Sequence, residues 1–184
     1  VIDKIDFNEL KKAFHSDKNE KWQDERPVHQ HEPLVKELQK AVQIKKETHR
    51  LIMNISRDVK LGKKIQIERV EDMADQIFGS IARNKDALFT LIAFRDKDNY
   101  TYNHSVNVAV LMVAFCLAVG MTDEQARTFG VGALLHDIGK AKISGDIINK
   151  AGPLSKQEFA IMKQHPRYGY EILSEIESLS DKIK

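Results

Sequence analysis

Along most of the chain, hydrophobic residues recur every three or four positions, which is the spacing of one face of an α-helix. Such a stripe from residue 34 to 59 predicts a long amphipathic helix, with Pro33 just before it and Gly62 just after it. Further helices are predicted near 67–81 and 85–95. Strand-like alternation is weak, and the chain has only 4 prolines and 9 glycines. The pattern therefore predicts an all-α fold.

The most apolar predicted helix covers about residues 103–119, and the residues after it predict a tight reversal. Gly120 is expected to end this helix. Thr122 and Gln125 have the spacing of a capping box, which predicts a following helix at about 123–138. Because only about three residues join the two helices, we expect them to lie side by side and antiparallel.

Glycine, proline and a second capping box predict the remaining helix ends. Gly139 is expected to close the helix at 123–138. Ser155 and Glu158 repeat the capping-box spacing and predict a helix that ends near KQHPRYG. Within that stretch, Pro166 predicts a break or a restart of the helix.

The first 33 residues lack helical periodicity and are polar, with a loop-like stretch DERPVHQHEP. His29 and His31 could hold a metal in an extended segment, but with no third ligand nearby a solvated loop is favoured. We predict two parts: residues 1–61, the remnant of an accessory domain with a linker helix, and residues 62–184, a helical domain. The linker helix could connect domains or form a homodimer through residues 34–59, and we interpret His49 on it as a surface or interface residue.

Composition excludes several classes of protein. A formal net charge of +2 gives no support for binding a nucleic acid polymer. The longest apolar run, VAVLMVAFCLAVGM, is too short for a membrane segment. Cys116 is the single cysteine, so it cannot form an internal disulfide. We expect it to be a small buried hydrophobe, and we expect the protein to be cytoplasmic.

The stretch ALLHDIGK places two ionisable side chains at the end of an apolar helix. Burying His136 or Asp137 without a partner would cost several kcal/mol. His104 lies sixteen residues before Gly120, and His136 lies sixteen residues after it. Since a helix rises about 1.5 Å per residue, the antiparallel pair should bring both histidines to one end. We predict that His104, His136 and Asp137 converge on a divalent metal.

Two further residues extend this candidate site. A carboxylate can bridge two cations, and two cations are suited to phosphoryl chemistry. Lys140 could reach a phosphate oxygen, and His165 could supply another imidazole. Structural roles stay open: His104 could cap or pack, His165 could end a helix, and Lys140 could interact with the helix dipole.

Three stretches in order resemble the HD-GYP family of bacterial cyclic di-GMP phosphodiesterases, within the HD-domain superfamily: NYTYNHSVNVAVL, GALLHDIGKAKIS and IINKAGPLSKQEFAIMKQHPRYGYEIL. The resemblance implies an HD-domain-like helical bundle with a metal centre, commonly of iron or manganese. It implies hydrolysis of cyclic di-GMP by a metal-bridging hydroxide, giving the linear dinucleotide, and leaves open whether hydrolysis continues to GMP. By position, Asp137 would bridge metals, Lys140 would contact the substrate phosphate, and the metal ligands would be His104, His136, Asp137 and His165.

Two departures from the family pattern change these expectations. Some members have a glutamate four residues before the first histidine for a third metal, and this chain has Tyr100 there, so we predict two metals. The paired histidines, last aspartate and Gly-Tyr-Pro loop of the family would lie beyond Lys184. We therefore expect a truncated bundle, which is the first half of the domain of a longer enzyme. This half is expected to be inactive by itself.

Two other functions stay open. The incomplete ligand set and the long helix would also suit a non-catalytic HD-type module that senses or signals through partners. An HD phosphohydrolase that acts on other nucleotides would share His104, His136 and Asp137.

Overall fold

The structure, a computed structural model, describes residues 32–93 and 100–184, and the side chains of all of these except 100–102. Every regular element in these ranges is helical, which confirms the all-α prediction. None of the helices in them is both long and apolar enough to cross a lipid bilayer. The elements are α1 (Leu34–Lys60), α2 (Ile67–Ala93), α3 (Tyr100–Ala118), α4 (Asp123–Leu135), a 3₁₀ segment (Ile138–Lys142), α5 (Gly145–Ile148), α6 (Lys156–Met162) and α7 (His165–Ser174).

Helix α1 has the bounds that its hydrophobic stripe predicts. It starts after Pro33 and ends before Gly62, whose φ of 70° lies in the left-handed region that favours glycine. Its apolar stripe is buried in the same core as α2, within one compact unit. The apolar stripe of α1 therefore packs against other helices of the same chain. Homodimerisation through residues 34–59 and a domain boundary at residue 61 stay predictions.

Helix α2 contains a break where the sequence predicts two helices. Asn84 has an extended backbone (φ −161°, ψ 100°) between two helical stretches. Its side-chain oxygen accepts a hydrogen bond from the backbone N–H of Asp86 at 3.1 Å, and its amide nitrogen donates to the carbonyl of Glu32 at 3.0 Å. Asn84 therefore restarts the helix and fixes Glu32, two residues before the start of α1.

Helices α3 and α4 form the predicted antiparallel pair. Gly120 reverses the chain with a φ of 87°, and the N–H of Met121 donates to the carbonyl of Cys116 at 2.9 Å. Thr122 and Gln125 then form the predicted capping box. The side chain of Cys116 is buried among hydrophobic residues, and this burial raises the pKa of its thiol, as expected for a packing residue.

The prediction that Gly139 closes α4 is wrong. The helix ends three residues earlier than predicted, at Leu135, and the chain enters the 3₁₀ segment through Asp137 (φ −102°, ψ 8°). Among the described glycines, those with positive φ are Gly62, Gly120 and Gly152, and Gly139 is not one of them. Gly139 is required for a different reason, because a Cβ atom there would overlap the backbone of α7.

The last two helices also begin as predicted. Ser155 and Glu158 form a capping box at the start of α6, and a hydrogen bond from Lys150 helps to lower the pKa of Glu158 to about 2. Pro166 is the second residue of α7, a position where the missing N–H costs no helical hydrogen bond. Helix α7 packs on the 3₁₀ segment, which brings its first residue towards Asp137.

Candidate metal centre

The α3–α4 pair brings His104 and His136 to the same end of the bundle, as the equal spacing from Gly120 predicts. Their ring centroids are 5.2 Å apart and the ring planes are nearly perpendicular, at 68°. Both rings turn Nε2 towards the same carboxylate oxygen. Oδ2 of Asp137 lies 3.9 Å from Nε2 of His104 and 3.2 Å from Nε2 of His136. The three side chains each offer a ligand atom within 4.8 Å of the others.

His165 approaches the same carboxylate from the other side. Its Nε2 lies 3.4 Å from Oδ1 of Asp137, whereas the other two imidazoles face Oδ2. This approach depends on close backbone packing, because a Cβ on Gly139 would collide with the carbonyl oxygen of His165 and the amide nitrogen of Gly169. The glycine in ALLHDIGK therefore allows a fourth predicted site residue to reach the carboxylate.

Lys140 also points at this carboxylate. Its Nζ lies 2.6 Å from Oδ2 of Asp137, one turn back along the chain. The sequence pattern places Lys140 near a phosphate oxygen but gives no sign of this pairing with Asp137. Contact between Lys140 and a substrate stays a prediction.

Two of the imidazoles are oriented by backbone carbonyls. Nδ1 of His136 lies 2.8 Å from the carbonyl oxygen of Ala133, and Nδ1 of His165 lies 2.8 Å from that of Met162. Because a carbonyl can only accept, each Nδ1 carries the proton, and Nε2 of a neutral ring presents its lone pair to the carboxylate. This is how histidine ligands of metals are commonly held.

Asp137 is charged at neutral pH although its side chain is only 8% exposed. Burial alone would raise its pKa, but hydrogen bonds from Lys140 and from the protonated form of His136 outweigh burial and hold the pKa well below its usual value. The bond to Asp137 forms when Nε2 of His136 carries a proton in place of a metal, and it raises the pKa of His136. Burial, followed by the nearby His136, lowers the pKa of His104, which keeps that ring neutral and able to bind a metal.

These donors fit a divalent metal ion. Imidazole nitrogens together with a carboxylate oxygen form a ligand set that suits divalent first-row transition metals. A lone pair that faces a carboxylate is repelled by it unless a cation or a proton lies between them, and here imidazoles surround the carboxylate on both sides. The cluster of His104, His136 and Asp137 can therefore hold a metal ion.

Of Tyr100, His29, His31 and His49, which the sequence also singles out, the structure describes the side chain of His49. The side chain of Tyr100, which bears on a third metal, lies outside the described side chains, as do His29 and His31. His49, interpreted as a surface or interface residue, is half-buried, and its Nδ1 lies 3.0 Å from Oδ1 of Asn103, next to His104. Its position on the buried stripe of α1 is the signal that could have indicated an internal contact.

Comparison with known proteins identifies the domain that holds this cluster. The family model described as "HD domain" matches residues 101–184, which contain all the residues of the candidate centre. The match covers 84 of the 184 residues, so this part of the chain is similar to HD domains. Its helical fold and its adjacent His136 and Asp137 agree with the match.

Several proteins that are similar to this chain are phosphodiesterases. A cyclic di-GMP phosphodiesterase of Pseudomonas aeruginosa is 33% identical over 147 residues, 80% of this chain and 36% of that protein. A cyclic di-GMP phosphodiesterase response regulator of Xanthomonas campestris pv. campestris is 36% identical over 83 residues, 45% of this chain and 21% of that protein. A 3'3'-cGAMP-specific phosphodiesterase of Vibrio cholerae is 33% identical over 92 residues, 50% of this chain and 18% of that protein.

These matches confirm the resemblance to HD-GYP phosphodiesterases that the sequence motifs predict. The chain spans about a third of the length of the Pseudomonas relative and about a fifth of the length of the Xanthomonas relative. No solved structure matches the chain significantly.

Proposed function

We propose that this chain is the metal-binding part of a bacterial phosphodiesterase that hydrolyses cyclic di-GMP to the linear dinucleotide, with GMP as a further product. The HD domain match covers the whole candidate centre. The relative that aligns with 80% of the chain is named a cyclic di-GMP phosphodiesterase. The cytoplasm, where this second messenger is made and degraded, is the compartment that we propose for the protein.

The observation that carries the proposal is the two-sided surroundings of Asp137. One of its oxygens faces the imidazoles of His104 and His136, and the other faces that of His165. A carboxylate with ligand nitrogens beside each oxygen suits a bridge between two cations. We therefore propose two metal ions, iron or manganese, held by His104, His136, Asp137 and His165.

Metal ions bound at such a centre would supply Lewis acidity and lower the pKa of a water molecule near the phosphate. The protein's own residues would orient the reaction. Asp137 is almost fully buried, whereas the side chains of His104 and His136 are 41% and 34% exposed, so a substrate can reach the imidazole side of the centre. Lys140, beside Asp137, would hold a phosphate oxygen and stabilise its developing negative charge.

The test is hydrolysis by the complete gene product that contains this chain, with bound iron and manganese measured on the same sample. We expect the metal-loaded protein to hydrolyse cyclic di-GMP faster than 3'3'-cGAMP or a mononucleotide. Full metal content without hydrolysis of any of them would favour a non-catalytic signalling module. Turnover of the mononucleotide alone would show an HD phosphohydrolase of a different substrate class.

Lys140→Ala separates substrate contact from metal binding. We expect the metal content of the complete gene product to be kept and kcat to fall by about a hundredfold, the usual effect of removing one charge-stabilising donor. Lys142→Ala is the matched control, because Lys142 lies in the same 3₁₀ segment but points to Glu171, at 3.9 Å. Loss of metal in Lys140→Ala as large as in Asp137→Ala would contradict the assigned role.

A further inference from the structure

Helix α1 lies outside the HD domain match but touches two of the parts of the chain that build the metal centre. The match begins at residue 101, whereas α1 ends at Lys60. Helix α1 packs against α3, which carries His104, and against the 3₁₀ segment, which follows Asp137. A residue of α1 can therefore influence the centre without being one of its ligands.

His49 makes the specific contact between α1 and the first turn of α3. Its Nδ1 lies 3.0 Å from Oδ1 of Asn103, and 54 positions along the chain separate the two residues. Because an amide oxygen only accepts, Nδ1 of His49 carries the proton and donates it. The contact is part-buried, so water competes with it less than it would at the surface.

The hydrogen bond between His49 and Asn103 lies at the start of α3, where it can hold the backbone next to His104. The first four N–H groups of a helix have no partners within the helix, so its first turn frays unless other contacts hold it. Helix α3 begins at Tyr100, and His104 therefore lies only one turn inside its start. Asn103 is the neighbour of His104 in the chain, and a bond that fixes Asn103 also fixes the direction in which His104 leaves the helix.

We propose that His49 is a positioning residue for the metal centre: through Asn103 it holds the first turn of α3 so that Nε2 of His104 stays directed at Asp137. The inference rests on the proposed metal-binding function. It adds that α1, outside the HD domain match, tunes the affinity of the centre. A movement of α1 would then change metal affinity without any change in the ligands themselves.

A double-mutant cycle on metal affinity tests the proposal. Co²⁺ is titrated into the complete gene product that contains these 184 residues, and its visible absorption bands report binding. We expect His49→Phe and Asn103→Leu each to weaken Co²⁺ binding by about tenfold, as is typical for residues that support metal ligands. The double variant should be weakened by about tenfold and not by about a hundredfold, because both changes remove the same contact.

Two further variants distinguish positioning from a general loss of stability. In His49→Asn the side-chain amide places an N–H close to where Nδ1 was, so we expect Co²⁺ affinity within about threefold of the wild type. Thr48→Val is the matched control, since it removes another buried hydrogen bond of α1, from Thr48 to the carbonyl of Ile44 at 2.7 Å. It should lower the unfolding temperature but leave Co²⁺ affinity and the absorption bands unchanged.

The outcomes separate this inference from the proposed function. A folded wild-type protein that binds no Co²⁺ at millimolar concentration would overturn the proposed metal function and, with it, the role of His49. Wild-type binding that is unchanged in His49→Phe, or single effects that multiply in the double variant, would overturn the positioning role alone. An equal loss of affinity in Thr48→Val would also overturn it.

Discussion

The molecule buries two carboxylates in two very different ways. Glu37, on α1, has no exposed side-chain surface and accepts hydrogen bonds from α2, while Nζ of Lys40 on its own helix lies 3.8 Å from Oε2. Its Oε2 accepts from Nε of Arg83 at 2.8 Å, and its Oε1 accepts from Nη2 of Arg83 at 2.9 Å and from the hydroxyl of Ser80 at 2.8 Å. Asp137 is similarly buried but is surrounded by three imidazoles and an ammonium group.

The difference lies in what the partners can do. A guanidinium only donates, and its two parallel bonds match the charge and shape of a carboxylate, which leaves Glu37 with no reason to bind anything else. An imidazole can accept as well as donate, and those around Asp137 present the nitrogen that metals bind. Burial of a charged residue alone therefore does not indicate a functional site, whereas the kind of partners does.

Asp137→Ala should produce the largest effect of the variants proposed here, and this effect should be a loss of metal affinity. We expect the affinity for Mn²⁺ to fall by more than about a hundredfold, since loss of a direct ligand exceeds the 10–100-fold typical of supporting residues. Isothermal titration calorimetry with Mn²⁺ measures this affinity. Asp181→Ala is the control, because that carboxylate is 96% exposed and pairs with Lys184. The Mn²⁺ affinity of this variant should match that of the wild type.

Gly139→Ala should damage both stability and binding. The added Cβ meets the backbone of His165 and Gly169, which cannot yield as a flexible side chain would, so we expect a loss of about 3 kcal/mol. Because His165 must move away from Asp137, Mn²⁺ affinity should also fall. Gly132→Ala is the control: its Cβ would lie an ordinary 3.8 Å from Ile183, so denaturant unfolding should show no loss. Unchanged metal affinity in Gly139→Ala would contradict the role of the close approach.

Glu37→Gln should affect stability alone. We expect a loss of about 2 kcal/mol from the weakened bonds to Arg83, which is 34% exposed and can still reach water. Burial raises the pKa of Glu37, but its bonds to Arg83 and Ser80 outweigh this and leave the pKa below its usual 4.5. The charge therefore stabilises the fold above pH 4.5, and this stabilisation is lost as the pH falls through the lowered pKa.

The difference in stability between wild type and Glu37→Gln should accordingly shrink on acidification, which urea unfolding at several pH values would show. Glu47→Gln, on the exposed side of the same helix, is the control and should cost little. A change in metal affinity in Glu37→Gln as large as in Asp137→Ala would remove the distinction between the two carboxylates.

Thr122→Ala should give the smallest of these effects and sets the baseline for a local change away from both carboxylates. Loss of the capping box at the start of α4 should cost about 1 kcal/mol in thermal unfolding. Metal affinity should not change, because the other end of α4 carries the candidate centre. Thr128→Ala, which removes an exposed bond to the carbonyl of Glu124, should cost less than Thr122→Ala.

The sequence predicts the elements of both regions better than their contacts. Helical periodicity, Gly120 and the Thr122 capping box suffice to predict the α3–α4 pair, and the equal spacing then predicts that His104 and His136 meet. These signals are local along the chain, and one tight turn converts them into a long-range contact.

Contacts that depend on packing between distant helices leave no comparable signal. The burial of Glu37 depends on Arg83 across the α1–α2 interface, and the sequence presents Glu37 as one more charged residue on a helix. Gly139 follows the end of a helix and is predicted to cap it, because the backbone of α7 that excludes a side chain there belongs to a later part of the chain. For His49, the stripe of α1 indicates an internal contact, but it does not indicate that the partner is Asn103.

The most direct test of the central claim is a crystal of the 184-residue protein grown with Mn²⁺, with anomalous diffraction data collected near the manganese absorption edge. We expect an anomalous peak about 2.1 Å from Nε2 of His104 and His136 and from an oxygen of Asp137. A strong peak elsewhere in the protein, with none beside Asp137, would contradict the assignment of these residues as the metal centre.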